Sequence, residues 1–88
     1  MSRVQIAKWA GYKLGIASLE STGITDRGTV ALCFIEGNDI LFLTKGGEEF
    51  RFVNKCFKEK DGTFRFPNEN GENAILAPPP MRKKFRRR

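Results

Sequence analysis

Short apolar-rich runs of strand length, broken at close intervals by Gly, Asn and Asp, fill residues 29–66. This pattern predicts an antiparallel meander. The first strand spans 29–36, with Gly37-Asn38-Asp39 as its turn. The second spans 40–45 and ends at Gly46-Gly47. A third, long strand runs from 48 to about 60, Asp61-Gly62 turns the chain, and 63–67 closes the set. Gly-Gly and Asp-Gly fit two-residue hairpin loops because those turns need positive φ. The first two strands are apolar on both faces: Val30, Leu32 and Phe34 against Ala31, Cys33 and Ile35, then Ile40 and Phe42 against Leu41 and Leu43. Such strands belong at the centre of a sheet or in the wall of a closed barrel.

Upstream, Ser2 and Gln5 stand at a capping-box spacing with Ala7 and Ala10 behind them. This predicts a short helix over about 3–10, ended by Gly11. Alternation then returns, with Tyr12, Leu14, Ile16 and Ser18 on one face. It predicts a strand to about residue 21 and a loop over 22–28, although Gly15 weakens the strand. Residues 6–19 also carry a degraded helix-turn-helix spacing, with Gly15 inside the would-be recognition helix. After Pro67, residues 68–73 are a polar loop and 74–77 a short last strand. Together these elements predict a mainly β fold: a small single-domain antiparallel β-barrel or roll over 1–77. An SH3-like meander fits best, with an OB-like barrel as the alternative. A proline-rich spacer follows over 78–81, then a disordered basic tail over 82–88.

Charge separates tail from body. The formal net charge is +6. Six cations, Arg82, Lys83, Lys84, Arg86, Arg87 and Arg88, lie in the last seven residues around Phe85, which leaves residues 1–81 neutral. A clustered polycation calls for a polyanionic partner: nucleic acid, an acidic protein surface or an anionic membrane. Nucleic acid is the leading expectation, with the cations on phosphates and Phe85 stacking on a base or wedging into a groove. A membrane is the weakest, because one aromatic beside a polybasic run gives little insertion energy.

Two weaker cationic surfaces are expected on the body. A two-residue Asp61-Gly62 loop pairs Lys58 with Arg65 and Phe57 with Phe66, so Lys58, Lys60 and Arg65 share one face and Phe57, Glu59, Phe64 and Phe66 the other. Lys58 opposite Arg65 is a like-charge pair that a bound phosphate would relieve. Near the N-terminus, Lys8, Trp9, Tyr12 and Lys13 interleave cations with aromatics, the pattern that grips phosphates while stacking bases. The competing reading of Trp9 and Tyr12 is core packing.

Catalysis finds little support. The chain has no His, and P-loop, dinucleotide-binding and nucleophile-elbow motifs are missing. No catalytic residue, metal ligand or cofactor is expected. Cys33 and Cys56 read as small buried hydrophobes in a reducing compartment, with neither a disulfide nor a zinc site. Lys8 and Lys13 interrupt any signal-peptide core and no apolar run reaches membrane length. The expected location is cytoplasmic, or nuclear in a eukaryotic cell, where the tail resembles a localisation signal. Function is therefore expected to be non-enzymatic, sequence-independent nucleic-acid binding. The alternative is a protein–protein interaction module, such as a small inhibitor or a phage-type accessory protein.

Overall fold

The computed structural model describes residues 2–18 and 23–79. Within them the chain forms strands and no helix: β1 (Val4–Ile6), β2 (Lys13–Ser18), β3 (Thr25–Glu36), β4 (Asp39–Thr44), β5 (Glu49–Val53), β6 (Phe57–Lys58), β7 (Phe64–Pro67) and β8 (Glu72–Ala77). The basic tail, Pro80 and Met81 of the spacer, and the expected end of the 12–21 strand lie outside the described residues.

Every pairing is antiparallel, along the path β5-β4-β3-β2-β8-β7-β6, with β1 paired to β3 off that path. Strand β3 is the pivot. Its first residues pair with β2 (Lys13 opposite Thr29), and its later ones with β4 on one side and β1 on the other. Two half-sheets, β1-β3-β4-β5 and β3-β2-β8-β7-β6, enclose one core.

The expected closed barrel is not formed, because β5 and β6, the ends of the path, do not pair. The single strand expected over 48–60 is broken at 54–56. There the Asn54 N–H donates to the Asn38 carbonyl at 2.9 Å and the Lys55 N–H to the Val53 carbonyl at 2.7 Å, which takes the chain out of the ladder. Strand β5 stays with β4, and β6 joins β7.

The expected N-terminal helix is likewise replaced, and with it the helix-turn-helix. Val4, Gln5 and Ile6 pair with Ile35, Phe34 and Cys33 of β3. A free sheet edge outcompetes one helical turn, whose nucleation is costly. Residues 7–12 then turn tightly: the Tyr12 N–H donates to the Trp9 carbonyl, and the Tyr12 carbonyl accepts from the Val30 N–H at 2.8 Å.

Strands β3 and β4 are interior, as their two apolar faces require. A bulge between Val30 and Leu32 shifts the face of β3, so Val30 and Cys33, three apart, both enter the core. Phe42, Phe66, Leu14 and Leu76 are also fully buried. Phe66 is in ring contact with Phe42 at 5.3 Å and with Trp9 at 5.4 Å, joining the half-sheets through one aromatic cluster.

Candidate nucleic-acid interface

The β6–β7 hairpin does not have the expected register. Phe57 faces Arg65 and Lys58 faces Phe64. The Gly62 N–H donates to the Glu59 carbonyl at 3.1 Å, and Glu59 pairs with Thr63, so Lys60-Asp61-Gly62 is a three-residue loop. Gly62 takes the positive φ of 92° that closes such a loop. Asp61 stiffens it by accepting from the Thr63 hydroxyl at 2.7 Å and amide at 3.0 Å, contacts that hold its carboxyl below the ordinary 3.8. The slip of one residue separates Lys58 from Arg65. Phe64 and Phe66 face the core, and Phe57 moves to the outer face. There Arg65 sits 4.6 Å from the Phe57 ring centre and donates to Glu59 at 2.7 Å. The expected like-charge pair is absent, and Arg65 is neutralised.

The N-terminal aromatics divide differently from the phosphate-gripping expectation. Trp9 is buried, 4.9 Å from the Phe64 ring and 5.1 Å from Tyr12, so it plugs the core and offers no face to a base. Tyr12 is half-buried against the same cluster. Lys8 remains exposed, its ammonium 5.3 Å from the Trp9 ring centre.

The two outer faces of the sheet contrast. On the β3-β4-β5 face, Arg51 pairs with Glu36 and with Asp39 (2.6 Å), and Arg3 with Glu49 (3.2 Å) and Glu36 (3.9 Å). Arg3 also lies 5.3 Å from the Phe34 ring centre. The hydrogen bond from Arg51, foremost, holds Glu36 below its ordinary 4.5, and Glu36 in turn raises Arg51. On this face two guanidiniums and three carboxylates are tied together in one ion-pair network. The body's lysines and Arg27, in contrast, have no carboxylate within ion-pair distance among the described residues.

One of them, Lys13, stands at the end of β8. Lys13 lies directly across from Ala77, the last residue of β8, and from Thr29. The Lys45 N–H donates to the Thr29 carbonyl at 2.9 Å. Thr63, which follows the Lys60-Asp61-Gly62 loop, lines a groove together with Ala77 and Lys13. Lys13, Lys45 and Lys60 therefore flank the point from which the chain continues to its tail. Arg82 is five residues beyond Ala77, and five residues reach at most about 18 Å.

The groove, of about 260 Å³, has a mainly apolar surface, with Lys13, Asp26 and Thr63 also lining it. Its floor is Gly15, opposite Ile75, with Ile24 lying over the glycine. Sequence reasoning marked Gly15 only as a weak point in a strand. Its role comes from cross-strand neighbours that the hydropathy pattern does not report.

Both cysteines are free thiols. Cys33 is buried as expected, and burial pushes its thiol up to about 11. Cys56 is exposed, contrary to expectation, because the break at 54–56 takes it out of the strand. Partial burial raises its pKa, and nearby Lys8 opposes that rise. Among the described residues, no group of three or more His, Cys, Asp or Glu is placed to hold a metal, and no helix is long and apolar enough to cross a membrane. Comparisons with protein families, curated proteins and solved structures find no match.

Proposed function

We propose that this protein is a non-enzymatic nucleic-acid-binding protein whose arm, residues 82–88, supplies most of the electrostatic affinity. One observation carries the reading: the whole net charge of +6 sits in the arm of an otherwise neutral chain. The location of the unpaired lysines supports it. Arg82, Lys83, Lys84, Arg86, Arg87 and Arg88 contact phosphates, and Lys13, Lys45 and Lys60 at the arm's root add a weaker surface. Binding is mainly independent of sequence, because phosphate contacts position a protein without reading bases. The meander β2 to β5 with β8 returning beside β2 supports reading the body as an SH3-like roll. A gel-shift comparison of the full chain with one ending at Met81 tests the proposal. The full chain is expected to bind duplex and single-stranded probes that the shortened chain releases at physiological salt. Equal binding by both would contradict it.

The unpaired ends of the sheet favour one second reading, a protein-interaction module or inhibitor that docks a partner on an open edge. A pull-down with and without nuclease separates the two. Partners lost with nuclease support nucleic acid, and partners that survive support the module.

A further inference from the structure

The outer face of β6, β7, β8 and β2 presents more than charge. Phe57 opposite Arg65, Arg65 opposite Ile75, and Ile75 opposite Gly15 form one continuous cross-strand row. Directly opposed residues share a face, and neighbouring strands lie about 4.8 Å apart. At one end of the row Phe57 is 43% exposed, with the Arg65 guanidinium against its ring. At the other end is the apolar groove over Gly15, bordered by Ile24, which is 60% exposed. Lys13 and Ala77, the last residue of β8, also line that groove. On the opposite face Arg3 likewise lies against the Phe34 ring, and Arg3 and Arg51 are held in ion pairs with Glu36, Asp39 and Glu49.

We propose that this face is a stacking platform for single-stranded nucleic acid, with one base on Phe57 and Arg65 and another against the groove over Gly15. The proposal rests on the nucleic-acid reading of the arm and gives it a preferred form. Exposed aromatic and apolar surface beside cations gains nothing from a duplex, whose bases are already stacked and whose phosphates the arm reaches alone. An unpaired strand offers base faces to the platform and phosphates to Lys13 and the arm together.

The test is fluorescence anisotropy of the full-length protein with a labelled single strand and with the same strand annealed to its complement. The wild type is expected to favour the single strand. Phe57→Ala is expected to weaken single-strand binding roughly five- to a hundredfold, as loss of one base stack does, and to leave duplex binding unchanged. Phe57→Trp retains single-strand binding, and its fluorescence is quenched by the single strand alone, a signal that a merely structural role would not produce. If Phe57→Ala binds the single strand as the wild type does, or the Phe57→Trp signal does not respond, the platform is overturned while the arm reading stands. If the wild type binds neither probe, both fall.

Discussion

Arg51 and Gly15 show how single residues set the character of the two faces. Arg51 holds Glu36 and Asp39 on one outer face, and its hydrogen bond keeps the Glu36 pKa below 4.5. A carboxyl whose folded pKa is depressed stabilises the fold above its unfolded pKa, and that contribution is lost as pH falls through the folded value. Thermal denaturation of the wild type is therefore expected to shift down on acidification below about pH 4.5, and Glu36→Gln is expected to flatten that shift. Equal pH dependence in the two proteins would refute the coupling. At Gly15, a Cβ would stand 2.3 Å from Cγ2 of Ile24. Gly15→Ala should then cost about 1–3 kcal/mol by overpacking. Ile24→Ala in the same chain should recover most of the loss, as measured by urea denaturation.

Among the elements, the strands with the densest apolar sequence were the most legible. The existence of β4 follows from hydropathy, because both faces of that region are buried, although the strand runs Asp39–Thr44 and so starts and ends one residue before the expected 40–45. Long-range pairing was not legible. Whether Val4-Gln5-Ile6 becomes a helix or an edge strand depends on a vacancy beside β3, and the break at 54–56 depends on a bond to Asn38. The hairpin slip turned on one hydrogen bond, Gly62 to Glu59, yet it moved Phe57 to the surface and removed the Lys58–Arg65 pair. A two-residue strand at the end of the sheet, β6 is expected to lose amide protection early in hydrogen exchange, long before Val30 and Cys33 of β3. Phe66, which bridges the half-sheets, gives the opposite extreme. Phe66→Ala should cost about 3–5 kcal/mol, enough to unfold much of so small a domain, visible as loss of a cooperative thermal transition.

At the scale of the whole molecule, the chain combines an open antiparallel β-sheet with a cationic C-terminal sequence that carries the whole net charge. The arm was evident from the sequence, since charge segregation is a property of composition along the chain. The position of Lys13 at the end of β8 was not, since only the pairing of β8 with β2 brings Lys13 opposite Ala77. The Lys8–Trp9–Tyr12–Lys13 group does not act as one surface, because the turn after β1 buries Trp9 while Lys13 enters β2 opposite Ala77. The most direct test of the central claim is the salt dependence of duplex binding. With six cations engaged, log K should fall against log salt with a slope of about −5 for the full chain. The slope for a chain ending at Met81 should be far shallower. Equal slopes and affinities for the two chains would place the binding surface on the body and contradict the account.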